Sequence, residues 1–88
     1  MAALHLINHQ HAMTDCLAVA AADDAILLLE DGVYAGAVGV APQRPLHALA
    51  ADVHARGLDG RIAAQVVVVS DAQFVELVTG HVPIVTWR

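Results

Sequence analysis

Five short, mostly apolar runs recur along the chain, and each has the length of one β-strand: residues 4–7, 25–29, 46–49, 66–69 and 84–87. The run at 66–69 consists of four valines, which favour strands because they are β-branched. Continuous apolarity at 25–29 is typical of a strand that is covered on both faces, as in a parallel sheet. Segments that favour helix lie between the runs, which predicts right-handed βαβ units. We therefore expect an α/β fold: a single small domain with a mostly parallel, four- to five-stranded sheet and helices on both faces.

The segments between the runs carry recognisable helix signals. Helices are expected over residues 14–22, 32–38 and 51–56, and between Ser70 and Gly80. Thr14 and Asp31 are the expected caps of the first two helices. Ser70 and Gln73 have the spacing of a capping box, which marks the start of the last helix. Residues 39–45 contain two prolines and are expected to form a loop.

The chain is short and unusually apolar. Its 88 residues suit one domain, and 58% of them are hydrophobic against 15% charged. Ordinary soluble domains have about 45–50% and about 25%, so disorder is excluded. A domain of this size cannot enclose all of its apolar surface, and part of that surface is expected at a subunit interface. Trp87 and Tyr34 are the candidate interface residues, because aromatic side chains are enriched at interface centres.

Charge and cysteine content exclude several classes of protein. Four arginines, no lysine and nine carboxylates give a formal net charge of −5, so no direct binding of nucleic acid is expected. The absence of lysine also excludes a P-loop and a Schiff-base enzyme. The single cysteine excludes an internal disulfide and a zinc ribbon, and it makes a reducing cytoplasm the expected compartment. Neither a membrane span nor a signal peptide is expected, because the apolar runs are too short.

Reactive side chains follow three of the predicted strands, at residues 8–15, 30–32 and 70–73. Sites in open parallel sheets form beyond the carboxyl ends of the strands. Cys16 follows the first of these segments, and it lies near a helix N-terminus if Thr14 is the cap. Backbone N–H groups at that position would stabilise a thiolate, which makes Cys16 a candidate nucleophile. If the helix begins as early as Asn8, Cys16 lies inside it, and the alternative is an inert thiol in the core.

Histidines and carboxylates do not add a second site. His9, His11 and Cys16 lack a recognised metal-ligand spacing, so no metal is expected and both histidines are expected in an exposed loop. The other histidines are expected at the surface or at helix ends: His5, His47, His54 and His81. Glu30 and Asp31 could form an acid–base pair, but Asp at this position more often caps a helix. No dinucleotide fingerprint is present, and no cofactor is expected.

Beyond its fold class, the chain resembles the TusB/DsrH family over nearly its whole length. The motifs that carry the resemblance occur in the family's order: LHLIN at 4–8, LLLEDGVYA at 27–35, LHAL at 46–49 with Asp52 after it, ARGL at 55–58, FVELV at 74–78 and the C-terminal Trp87. Each motif alone would be weak, but their combination is fairly specific. The whole chain, residues 1–88, is thus expected to be one TusB/DsrH-like domain.

The resemblance implies a subunit of a hetero-hexameric sulfur-relay complex, formed with TusC/DsrF-like and TusD/DsrE-like subunits. In TusBCD-type complexes, persulfide sulfur passes on to the 2-thiolation of the wobble uridine of tRNA. Some family members have a cysteine at the position of Cys16, which makes Cys16 the candidate sulfur carrier. The essential cysteine of the relay generally belongs to the TusD/DsrE-type subunit.

Two alternatives remain open. The chain could be a non-catalytic assembly subunit of a DsrEFH-type complex, which handles sulfur in sulfur-oxidising bacteria. It could also be a homo-oligomeric binding protein unrelated to sulfur, although no sequence feature indicates a ligand pocket.

Overall fold

The structure, a computed structural model, describes residues 2–88, in which strands alternate with helices. The strands are β1 (Leu4–Ile7), β2 (Ala25–Leu28), β3 (Leu46–Leu49), β4 (Val66–Val69) and β5 (Ile84–Trp87). The α-helices are α1 (Met13–Val19), α2 (Ala50–Ala55) and α3 (Asp71–Thr79), and 3₁₀-helices span Gln10–Ala12 and Glu30–Gly36. All five predicted strands are confirmed, the second being one residue shorter. No helix within residues 2–88 is long and apolar enough to cross a membrane.

The five strands form one entirely parallel sheet in the order β4-β3-β2-β1-β5. Leu4 pairs with Ala25 on one side and with Ile84 on the other. The first four strands therefore step across the sheet in sequence order, whereas the last strand returns to lie beside the first. The predicted α/β fold with a mostly parallel sheet is confirmed.

Helices cover both faces of the sheet, as the sequence predicts. α1, α2 and both 3₁₀-helices pack on one face, over a main core that includes Ile7, Cys16, Ile26, Leu28 and Val33. α3 packs on the opposite face, over a smaller core formed by Leu4, Leu27 and Val69. The sheet is thus buried from both sides at its centre, which explains the continuous apolarity of β2.

The first helix differs from its prediction at both ends. It begins at Met13 with Ala12 as its cap, so the prediction that Thr14 caps it is wrong. The reason is His9, whose Nδ1 accepts a hydrogen bond from the backbone N–H of His11 and starts a 3₁₀ turn ahead of the helix. The helix ends at Val19, because the Ala21 N–H donates to Asp24 and the Ala21 carbonyl accepts from Arg44. These contacts hold the chain in a turn that cannot continue the helix.

The second helix is a 3₁₀-helix over Glu30–Gly36, earlier than the predicted range of 32–38. Leu29 occupies its cap position, and no side chain caps it, so the prediction that Asp31 caps this helix is wrong. Asp31 instead forms an ion pair with Arg56, at 2.9 Å between its Oδ1 and the arginine Nε. The last helix follows its prediction closely, since Ser70 and Gln73 form the capping box and Gly80 follows the final turn.

Candidate functional site

Cys16 is the fourth residue of α1, and its side chain is completely buried in the main core. The backbone N–H groups of Ala12 and Met13, which precede it, already donate to the carbonyls of His9 and Gln10 in the 3₁₀ turn. A stabilised thiolate was predicted on condition that Thr14 caps α1, and Ala12 occupies the cap position instead. The geometry therefore matches the alternative, a thiol inside the helix and the core.

The electrostatic surroundings of Cys16 also favour the protonated thiol. Burial raises the pKa of Cys16 above its ordinary value. The positive charge of Arg44 lowers this pKa and the carboxylate of Asp24 raises it, both by less than the effect of burial. Because the thiolate is the nucleophile in sulfur transfer, a buried thiol with a raised pKa is poorly reactive at neutral pH.

His9 and His11 lie exposed beside α1, as predicted, and their rings are stacked at a tilt with centroids 4.8 Å apart. They do not join Cys16 in a ligand set, since the thiol points into the core. Within residues 2–88, no three side chains of His, Cys, Asp or Glu converge in a group that could hold a metal ion. The role of the pair is local: His9 caps the turn in which His11 lies.

The two acidic residues that follow β2 make structural contacts, Glu30 through its backbone N–H and Asp31 through its carboxylate. The backbone N–H of Glu30, a residue with a positive φ of 50°, donates to Asp52 at 2.8 Å. Asp31 pairs with Arg56, which also lies 3.5 Å from Asp52. The hydrogen bond from Arg56 to Asp31 is the main cause that raises the pKa of Arg56, and the charges of Asp31 and Asp52 raise it further. Of the acid–base pair considered from sequence, Asp31 is therefore part of a salt-bridge network that joins the 3₁₀-helix to Arg56 and Asp52 of the α2 region.

The most extensive buried polar arrangement joins three residues that are distant in sequence. The indole Nε1 of Trp87 donates to Nδ1 of His5 at 3.0 Å, and the His5 Nε2 lies 2.9 Å from Oδ2 of Asp24. Asp24 accepts two further hydrogen bonds, from the backbone N–H groups of Ala3 and Ala21. These three interactions, that of His5 foremost, hold the pKa of Asp24 well below its usual range.

The hydrogen bonds in this arrangement assign the tautomer of His5. An indole nitrogen can only donate, so Nδ1 of His5 must accept and carry no proton. The proton of the neutral ring then lies on Nε2, where it is donated to the carboxylate of Asp24. His5 is only 4% exposed, so the prediction that it lies at the surface or at a helix end is wrong. Its partners are 19 and 82 residues away, and no local sequence pattern announces them.

The prediction of a surface or helix-end position holds for two of the three remaining histidines, His54 and His81, and fails for His47. His54 lies in the last turn of α2 and His81 follows α3, which confirms the predicted helix-end positions. His47 lies within β3 and is half-buried, so the same prediction is wrong for it.

The two candidate interface residues, Trp87 and Tyr34, differ in how far they are exposed. Trp87 is partly buried, packs against the main core and is tied to His5, so its indole has a structural role in this chain. Tyr34 is 36% exposed, on the 3₁₀-helix that follows β2. Several valines are more exposed than Tyr34: Val19, Val38, Val40, Val67, Val68, Val75 and Val82. None of these valines was among the predicted interface residues, because single aliphatic residues carry no distinctive sequence signal.

Sequence comparisons with known proteins match most of the chain. The family model described as "DsrH like protein" matches residues 8–83. The chain is 38% identical over 78 residues to Protein TusB of Serratia proteamaculans (strain 568), covering 81% of this chain and 82% of that protein. It is 33% identical over 94 residues to Protein TusB of Escherichia coli (strain SMS-3-5 / SECEC), covering 96% of this chain and 99% of that protein. The resemblance inferred from the sequence is confirmed, and the chain belongs to the DsrH-like family.

Proposed function

We propose that this chain is a subunit of a cytoplasmic persulfide-relay complex that serves 2-thiolation of the wobble uridine of tRNA. Its partners in this proposal are TusC/DsrF-like and TusD/DsrE-like subunits, which assemble with it into a hetero-hexamer. Support comes from the DsrH-like family and from two relatives named TusB that cover most of the chain. The exposed valines are consistent with a chain that completes its surface by assembly.

The observation that supports the proposed role of this chain is the burial of Cys16. In a persulfide relay, an acceptor thiolate attacks the terminal sulfur of a donor Cys–S–SH; the acceptor becomes the persulfide and the donor leaves as a thiolate. Cys16 is the only cysteine, and its sulfur is inaccessible with a raised pKa. We therefore infer that the chain shapes and stabilises the complex, and that a partner's cysteine carries the sulfur. Transfer through Cys16 is the untested alternative, and it requires the buried sulfur to become accessible.

Mass spectrometry tests the division of roles. The chain is purified with its sister subunits, and the complex is incubated with a persulfide donor. We expect a gain of about 32 Da, one sulfur atom, on a partner subunit and none on this chain. The variant Cys16→Ala should retain both assembly and sulfur transfer. A gain of one sulfur on this chain that disappears in Cys16→Ala, with assembly intact, would identify Cys16 as a carrier.

The acceptor is tested in cells. Deletion of the gene should remove 2-thiouridine derivatives from hydrolysed tRNA, and the wild-type gene or Cys16→Ala should restore them. Unchanged tRNA thiolation together with impaired sulfur oxidation would assign the chain to a DsrEFH-type complex instead. Sedimentation of the purified chain alone completes the test: a stable assembly with itself that ignores both sister subunits would favour a homo-oligomeric binding protein.

A further inference from the structure

β4 is an edge strand whose outer side has no neighbour within residues 2–88. Its four residues are all valine, and Val67 and Val68 are 55% and 44% exposed. Edge strands of this kind normally carry a charge, a proline or a bulge that prevents pairing with other chains. β4 carries none of these, so its backbone is free to accept one additional strand.

A groove beside this edge indicates which side chain the additional strand would carry. The groove has a volume of about 290 Å³ and lies between α3 and the exposed part of β3 and β4. Val67 lines it and pairs in the sheet with His47, which lines it too. A strand added outside β4 would therefore place one residue next to Val67 with its side chain directed over the groove.

The one charged side chain among the described residues that line the groove is the carboxylate of Glu76. His47 and His81 line the groove beside it, and His81 donates its Nδ1 proton to the carbonyl of Leu77 at 2.7 Å. Among the described residues that line the groove there is no lysine or arginine. The charge of the groove is therefore complementary to a donor-rich cation.

We propose that β4 and this groove form a docking site for an extended segment of a partner subunit, with an arginine beside Val67 whose guanidinium enters the groove. Pairing with β4 supplies main-chain hydrogen bonds, as in other cases of strand addition. The guanidinium meets the Glu76 carboxylate, which gives the site its side-chain specificity. The partner's identity as a relay subunit rests on the proposed function, whereas the chemistry of the site does not.

A peptide titration of the full, ¹⁵N-labelled chain tests the site without any partner. The probe is an acetylated and amidated heptapeptide of alternating threonine and valine with one central arginine, and the control peptide has glutamate in its place. We expect the arginine peptide to shift the amide signals of β4 and the imidazole signals of His47 and His81. It should bind about tenfold more tightly than the control, the size expected for one charged hydrogen bond.

Matched variants identify the groove as the source of this preference. Glu76→Gln should abolish the tenfold preference, while Asp71→Asn, the same charge change on the same helix outside the groove, should retain it. Equal binding of both peptides, signal shifts on another surface, or no binding at several millimolar peptide overturns the proposal. Concentration-dependent protection of β4 in the peptide-free chain also overturns it, because a second copy would then occupy the edge.

Hydrogen exchange in the reconstituted complex is the second test of the docking site. The β4 amides should be protected on assembly, and Glu76→Gln should weaken assembly about tenfold while Asp71→Asn leaves it unchanged. A complex that forms with β4 still exposed refutes the docking site but leaves the proposed function standing. If the chain joins no sister subunit, the proposed function fails, and the peptide titration alone decides the docking chemistry.

Discussion

The main-chain oxygen of Ile7 occupies the space that a side chain on Gly32 would need. A Cβ built at Gly32 would lie 1.8 Å from that oxygen, although Gly32 has no positive φ. The same oxygen accepts a hydrogen bond from the Leu29 N–H, so it cannot move away without breaking the link between β1 and the end of β2. The glycine of the EDG turn is therefore required by close packing.

Gly32→Ala should be strongly destabilising for this reason. We expect a loss of at least about 3 kcal/mol in the free energy of unfolding, in the range of severe overpacking. Urea denaturation followed by circular dichroism measures it. Gly39→Ala is the matched control: Gly39 has a φ of 83° and open space around it, so only the backbone penalty of about 1 kcal/mol is expected. Equal losses in both variants would contradict the packing argument.

Trp87→Phe separates the indole hydrogen bond from the packing of the ring. Phenylalanine retains an aromatic ring on β5 but leaves Nδ1 of His5 without a donor, in a side chain that is almost wholly buried. An unsatisfied buried acceptor costs about 1–3 kcal/mol, and we expect a loss of stability in that range. Thermal unfolding measures the loss, and Tyr34→Phe, a change at a more exposed aromatic residue, should lie within about 0.5 kcal/mol of wild type.

Asp24 makes stability depend on pH at the acidic end. Its pKa in the folded chain is depressed, so its contribution is fully present above the unfolded pKa of about 3.9 and is lost as the pH falls through the folded pKa. Asp24→Asn should be less stable than wild type at pH 7. The difference between the two proteins should stay constant down to about pH 4 and narrow below it. Urea midpoints at a series of pH values measure this, and a difference that widens in acid would refute it.

Cys16 should react with iodoacetamide only when the fold opens. We expect alkylation at pH 7.5 to be at least about 100-fold slower in the native chain than in denaturant. Cys16→Ser should lose about 1–3 kcal/mol of stability because the serine hydroxyl would be buried at a position that offers it no dedicated hydrogen-bond partner. Cys16→Ala should lose less. Rapid alkylation of the native protein would show that the thiol is accessible and would revive its role as a carrier.

The parts of the fold that were predicted from sequence are those with local causes. Four valines in succession define β4, and the spacing of Ser70 and Gln73 defines the start of α3. The start of α1 was wrong by a short distance, since histidine at position 9 acts as a cap through a ring nitrogen, which sequence rules for caps do not include. Because of this difference, Cys16 lies inside the helical segment and the core, and the predicted position near a helix N-terminus is wrong.

The buried polar chain from Asp24 through His5 to Trp87 could not be predicted, because its members come from three separate strands or turns. Trp87 was unusual enough to be noticed, but its place in the sheet depends on β5 lying beside β1. Such a pairing follows from the global topology. The groove beside β4 likewise depends on how far α3 extends across the sheet, which no residue pattern specifies.

The strand order has a consequence for the way the chain folds during synthesis. β1 to β4 each find a neighbour that is close in sequence, whereas β5 must pair with β1, the strand most distant from it along the chain. Until β5 docks, one side of β1 keeps its backbone unpaired and His5 lacks its indole donor. Closing so long a loop is entropically costly and slow compared with the local pairings. Docking of β5 therefore covers the open side of β1 and supplies the indole donor of His5, and β5 itself becomes the outer strand at that end of the sheet.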